Sequence, residues 1–241
     1  MANKSNSKLD TLVENLRATH GDNLASVVLY GSVAAGDHVA EDSDHNLLIV
    51  LNRIASEDLR LTQSALRDWL KSGQPPPVYF TVEELSRAAD VFPIEFLQME
   101  KARRVLYGRD PFEFVEISQA NLRHQTEYEL RTKLIQLRRL YIPASTSVEK
   151  LCALMRDSLA SFAALFRAVL ILHGKEPPVS KAESIRATVR LLGLDEPCFE
   201  QILELKVKRG KTLTEVEANK VFSAYLSQIE RVIEAVDRIE R

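Results

Sequence analysis

Cysteine is scarce in this 241-residue chain: Cys152 and Cys198 stand alone, with no CxxC and no paired Cys/His spacing. That excludes a structural zinc site of the usual kind and a disulfide framework, and it suits a reducing compartment. No apolar run approaches the ~20 residues that a spanning helix needs. The opening MANKSNSKLD is polar and lacks the apolar core of a signal peptide, so the expected location is cytoplasmic, with no membrane partner. Charge of neither sign dominates. With 32 basic against 34 acidic residues the net charge is −2, which removes any global field for nucleic acid and leaves only a local basic patch open. Repeats and low-complexity tracts are absent as well.

What remains is ordinary globular composition, 45% hydrophobic and 27% charged, in a chain long enough for one large domain or two small ones. The first half alternates. Leu9, Leu12, Val13 and Leu16 keep a helical period that Gly21 ends. SVVLY (26–30) and NLLIVL (46–51) read as buried strands, and VYF (78–80) as a third. Between 56 and 72 a helix is expected, capped by Ser56, with Leu59, Leu66, Trp69 and Leu70 on its apolar side. Thr81 and Glu84 form a capping box for a further short helix. The segment 92–108 fits strand and helix equally.

From Ser118 onward the pattern is helical only. One helix is expected to stop at Pro143, and a second to open on a Thr146/Glu149 capping box and run to His173 and Gly174. Three more follow, over 181–192 with Gly193 as its cap, near 197–209, and from Thr214 onward. The expected architecture is therefore α/β over 1–115, a small mixed β-sheet with helices on it, followed over 116–241 by an all-α helical bundle.

The chemistry gathers in LYGSVAAGDHVAEDSDHNLLIVL (29–51). Gly31 after a strand lets the backbone approach a phosphate, Ser32 adds a hydroxyl, and a following helical turn would aim N–H groups at the anion. Asp44 and Asn46, two residues apart in or entering a strand, would point the same way, as two ligands of one ion should.

A strand, Gly-Ser, about ten residues, then an acid at alternating positions resembles the nucleotidyltransferase superfamily, the DNA polymerase β-like fold. VFPIEFLQMEKARRVLYGRDPF and LRHQTEYELRTKL are similar to uncharacterised bacterial nucleotidyltransferase-domain proteins with a helical C-terminal domain. The resemblance spans residues 26 to about 135. It implies that Gly31 and Ser32 hold nucleotide phosphates, that Asp44 is the catalytic carboxylate, and that Asp44 and the residue at 46 bind Mg²⁺. A third carboxylate on a neighbouring strand would complete the site. Two ions clamp the attacking and leaving oxygens of an in-line displacement, which demands dense negative charge. The partners implied are a nucleoside triphosphate and an acceptor hydroxyl on a small molecule, protein or RNA. The helical half would close one wall of the cleft or form a homodimer interface.

The sequence departs from that pattern at two places. Position 46 is a neutral amide, and the candidates for the third acid, Val78, Tyr79 and Phe80, carry none. Glu41, Asp42 and Glu95 are the acids that could substitute. The expected function is thus nucleotidyltransferase-like with an incomplete carboxylate set. Its alternatives are a catalytically inactive scaffold, a pseudoenzyme that binds nucleotide or a protein partner, and an RNA-cutting, toxin–antitoxin-type module that uses the helical half.

Other signals carry less. RGKT (209–212) ends like a P-loop, but Leu205 stands where its first glycine belongs. Arg167 and His173 match the Arg-x(4–6)-His spacing of the HEPN family, whose members cut RNA without metal; Ala168 departs from that family's usual polar residue. A histidine at a helix C-terminus has a simpler electrostatic role. Lys101, Arg103, Arg104 and Arg109, with Arg123, Arg131, Lys133, Arg138 and Arg139, would suit a triphosphate or an RNA end as a cationic wall facing Gly31 and Ser32, although Glu127–Arg131 and Glu129–Lys133 have the spacing of solvated pairs.

Overall fold

A computed structural model describes residues 2–31, 46–101, 103–113, 115–178, 180–207 and 213–239. It divides into two compact units, Met1–Ser118 and Gln119–Arg241.

In the first unit, α1 (Ala2–His20) leads into β1 (Leu24–Tyr30), which pairs antiparallel with β2 (Asn46–Leu51). After α2 (Ser56–Ala65) and α3 (Arg67–Lys71), β3 (Val78–Thr81) joins β2 in parallel. Two short helices follow, α4 (Val82–Ala88) and α5 (Pro93–Lys101), and then β4 (Arg103–Gly108) pairs antiparallel with β1. The mixed sheet has the order β3-β2-β1-β4. Because strand side chains alternate, β2 feeds two cores at once. Leu47, Ile49 and Leu51 pack with Leu9, Leu12 and Leu16 of α1 and Ala65 of α2 on one face. Leu48 and Val50 pack with Val28, Leu85, Phe96, Met99 and Phe112 on the other. A strand apolar throughout is what burial on both faces requires.

Several expectations need correction. The undecided segment 92–108 is both things in turn, a helix and then β4. The helix expected over 56–72 breaks at Leu66 (φ −90°, ψ 0°). Its inward residues are Thr62, Ala65 and Leu66, while Leu59 and Leu70 are exposed. Thr62 is drawn inward by His20, whose Nε2 lies 2.9 Å from the Thr62 hydroxyl oxygen. Ser56 lies inside α2 rather than capping it. Ala55 takes the cap position, and its N–H donates to Asp58 Oδ2 at 2.8 Å.

The Thr81/Glu84 capping box is present: the Glu84 N–H donates to Thr81 Oγ1 at 3.0 Å, and the Thr81 N–H to Glu84 Oε2 at 2.7 Å.

The second unit consists, among the described residues, of α6 (Gln119–Ala144), α7 (Val148–Leu172), α8 (Lys181–Leu192), α9 (Glu196–Val207) and α10 (Glu215–Asp237). Its core is aromatic: Phe162, Phe166, Phe199 and Tyr225 meet at centroid separations of 6.1–6.4 Å. Pro143 sits inside the last turn of α6 instead of ending it. The cost is small there, because near a helix end a proline removes one terminal bond and no long ladder follows. The cap of α7 is Ser147, not Thr146: Thr146 donates its hydroxyl to the Pro143 carbonyl, leaving Ser147 to accept from the Lys150 N–H. Gly193 ends α8 in the left-handed region (φ +59°), as expected.

Candidate functional site

Register brings the functional residues to one end of the sheet. Tyr30, the last residue of β1, is the partner of Asn46 on β2 and of Arg103 on β4. Cross-strand partners share a face. Tyr30 packs on the face of Val28 and Phe96, and Asn46 is two residues from Leu48 on that same face. The Arg103 guanidinium lies over the Phe112 ring, 5.5 Å from its centroid, again on that side. Asn46, Tyr30 and Arg103 therefore form a row across three strands.

Gly31 adjoins this row. Its backbone has φ +92°, a region that L side chains rarely adopt, and an added Cβ would fall 2.9 Å from Asn46 Nδ2. The chain turns away from β1 with the Asn46 amide lying directly against it. The first-half motif is thus joined at Gly31 and Asn46, while Ser32 and Asp44, with Glu41, Asp42, His38 and His45, lie outside the described residues.

Arg103 is held rather than free. Its Nε and Nη2 donate to Asp110 Oδ2 at 2.9 and 2.8 Å, and Nη1 donates to the Glu100 carbonyl. The Phe112 N–H adds a bond to Asp110 Oδ1 at 3.0 Å. Partial burial would raise the Asp110 carboxyl. The Arg103 bonds and charge, with the Phe112 amide, outweigh it and hold the group below its ordinary value. Nothing in the sequence marks Arg103 and Asp110 as a pair; only the return of the chain after β4 brings them together. Burial raises the Tyr30 phenol, so its hydroxyl stays protonated and able to donate.

The neighbour of β2 on its other side decides the third place. Leu48, Ile49 and Val50 are partners of Val78, Tyr79 and Phe80, so none of those three is level with Asn46. Tyr79 belongs to the opposite face, and Glu95 is exposed on α5. Among the described residues no group of three His, Cys, Asp or Glu is arranged to hold a metal ion. The described side chains at this end of the sheet are thus an amide, a phenol and a guanidinium already paired with a carboxylate, while the acids of 32–45 lie outside the described residues.

Elsewhere, the cations of α6 are largely engaged. Glu127 accepts from Arg123 at 3.0 Å and from Arg131 at 2.8 Å, and Arg138 reaches Glu230. His173 Nδ1 donates to the Val169 carbonyl at 2.8 Å, the tie expected at a helix C-terminus. Burial lowers the half-buried Arg167. A shallow cavity of about 550 Å³ on α2 and α3 is lined by Arg60, Leu61, Gln63, Ser64, Arg67 and Leu70, none of them part of the row. No described helix is long and apolar enough to cross a membrane.

No family model matches the sequence, and no curated protein matches it. Among solved structures it is similar to the spectinomycin adenyltransferase AAD(9) from Enterococcus faecialis, determined with ATP and spectinomycin. The two are 13% identical with a TM-score of 0.57, over 96% of this chain and 99% of that one. A likeness at that identity speaks for architecture. The chain carries the nucleotidyltransferase fold, a small mixed sheet with helices on it, followed by a helical bundle.

Proposed function

We propose that this chain is a nucleotidyltransferase-like protein that binds a nucleoside triphosphate where β1 and β2 meet. The observation that carries the reading is the juxtaposition of Gly31 with Asn46, in a fold shared with an adenyltransferase determined with ATP. The backbone at Gly31 and the Ser32 hydroxyl would take the phosphates, and Asp44 would be the one carboxylate, holding a Mg²⁺ that the nucleotide's own phosphates complete. The acceptor would be a hydroxyl of a small molecule, a protein or RNA. Transfer itself is expected to be feeble, because a neutral amide stands at 46.

Calorimetric titration of ATP, GTP, CTP and UTP, with and without Mg²⁺, into wild type, Asp44→Ala and Asn46→Asp tests this. Binding by wild type that Asp44→Ala abolishes supports the reading. Silence from all three proteins with all four nucleotides removes it. The second reading, a scaffold that binds without transferring, is favoured by the neutral amide at position 46. It predicts no release of pyrophosphate from a bound nucleotide, whatever hydroxyl acceptor is supplied.

A further inference from the structure

We infer that a second copy of this chain docks on the first unit, its turn between α4 and α5 seated in the shallow groove where α2 gives way to α3. The groove lies where Leu66 (φ −90°, ψ 0°) breaks the helix, a space of about 550 Å³ lined by Arg60, Leu61, Gln63, Ser64, Arg67 and Leu70. Leu61 and Leu70 stay 45% and 39% exposed there. The lining thus holds apolar surface and two guanidiniums, with no acid among them. Arg67 meets no carboxylate among the described residues. Arg60 reaches Glu57 at 3.7 Å, with the two side chains 76% and 73% exposed, and a pair so solvated holds weakly.

The α4–α5 turn has the opposite chemistry. Val91 and Phe92 stand out at 58% and 43% exposure. Asp90 precedes them and Glu95 follows, and the segment 90–95 contains no base. Arg87, the base of α4, is matched by Glu83 at 2.8 Å. The turn is also fixed in advance. The N–H groups of Val91 and Phe92 both donate to the Ala88 carbonyl, at 3.1 and 2.9 Å, and Pro93 and Ile94 behind them are buried. A rigid turn loses little freedom on docking, and an aromatic anchor in an apolar groove rimmed by arginine is a strong form of contact.

One chain cannot join its own two surfaces. Ala65, Leu66 and Trp69 pack α2 and α3 on the sheet face of Leu47, Ile49 and Leu51. Leu85, Ala89 and Phe96 hold α4 and α5 on the face of Leu48 and Val50. The sheet lies between groove and turn, so a copy that takes in its neighbour's turn still offers its own. Such association is heterologous and runs head to tail. The opposed charges of turn and groove select this occupant over an uncharged apolar one.

Sedimentation equilibrium of the full chain at rising concentration tests this. Wild type is expected to pass the mass of a dimer. Its association should weaken roughly tenfold between about 0.1 M and about 0.5 M salt, because screening shortens the reach of exposed charges. Arg60→Glu/Arg67→Glu spoils the groove and Phe92→Ser the turn, and each is expected to stay monomeric with its thermal transition unchanged. Where Phe92→Ser lowers that transition, Asp90→Lys on the exposed flank of the turn takes its place. A mixture of the two kinds of variant brings an intact turn to an intact groove, and should form a dimer and stop there. Wild type that stays monomeric, or stops at a dimer, overturns the inference. So does association that survives either substitution, or a mixture in which no dimer forms.

Discussion

A methyl group on Gly108 would lie 2.0 Å from the carbonyl oxygen of Ala25. The contact marks where β4 meets the start of β1, beside a register shift in the ladder, with the Ser26 hydroxyl donating to the Tyr107 carbonyl at 3.0 Å. The oxygen belongs to backbone and cannot swing away, and the glycine itself has φ +78°. Gly108→Ala is expected to cost about 2–4 kcal/mol, near the upper end for one substitution. Gly21→Ala, at φ +51° with open space around it, should cost only about 1 kcal/mol. Urea unfolding of both variants checks the difference, and equal costs would mean that the close approach is relieved.

The Arg103–Asp110 pair gives a pH signature. A carboxyl held below its ordinary value contributes stability above its unfolded pKa and loses that contribution as the pH falls through the folded one. Asp110→Asn should therefore destabilise by about 1–2 kcal/mol at pH 7. The gap from wild type should close as the pH drops below the ordinary Asp range. A gap that persisted at pH 2 would show that the loss came from packing and not from charge.

His20 titrates in the opposite sense to an exposed ion-paired histidine. Burial lowers it below 6.5, the smaller pull of Asp58 notwithstanding. Thr62 donates its hydroxyl hydrogen to the Asp58 carbonyl at 2.9 Å, so its oxygen accepts from His20 Nε2–H. The neutral imidazole is the form the fold selects. Its contribution is fully present above the unfolded pKa and is lost as the pH falls through the lowered value. Nuclear magnetic resonance of the imidazole should give a midpoint under 6.5. Thr62→Val, which leaves the buried N–H without an acceptor, should cost about 1–3 kcal/mol.

Thr126 offers the reverse case. Its hydroxyl oxygen in α6 is buried and has no hydrogen-bond partner. Thr126→Val keeps the shape and removes an unsatisfied group, so stability should hold or rise by up to about 1 kcal/mol. A thermal transition lowered by several degrees would reveal a partner for that hydroxyl, such as a bound water.

How much of this could be read from the sequence depended on the distance over which each feature is determined. The bounds of β2 follow from its own residues, an unbroken apolar run after Asn46, and sequence and structure agree at both ends. The stripe of α10 is equally local: Val221, Phe222, Tyr225, Ile229, Val232, Ile233 and Val236 are buried as their spacing predicts, while Leu226 and Ile239, at the same period, are half-buried. Thr126, buried at the same spacing as Leu130, Leu134 and Leu137, follows the period of its own helix. Caps were legible only to the nearest residue, since Thr146 and Ser147 have almost the same chemistry and the carbonyl of Pro143 decides between them.

At the candidate site, Gly31 and Asn46 could be singled out from spacing, but not the contact between them, which needs the antiparallel pairing of β1 and β2. The third place was sought at 78–80, within the strand itself. Its level is set by how β3 slides against β2, and no local pattern encodes that offset. Arg103 was legible only as one cation among several; its pairing with Asp110 depends on the turn after β4.

The prolines at 75–77 have a bearing on the edge of the sheet. They precede β3, which among the described residues pairs with β2 alone, so an extended chain adding beside it would meet them first. A prolyl residue has no N–H to give such a newcomer, and four residues of strand after it leave little to copy. Replacing Pro76 by an acid returns a backbone donor to that edge. A chain with an acid at 76 would thus be more open to self-association through β3, and the added negative charge would be the one guard left at that position.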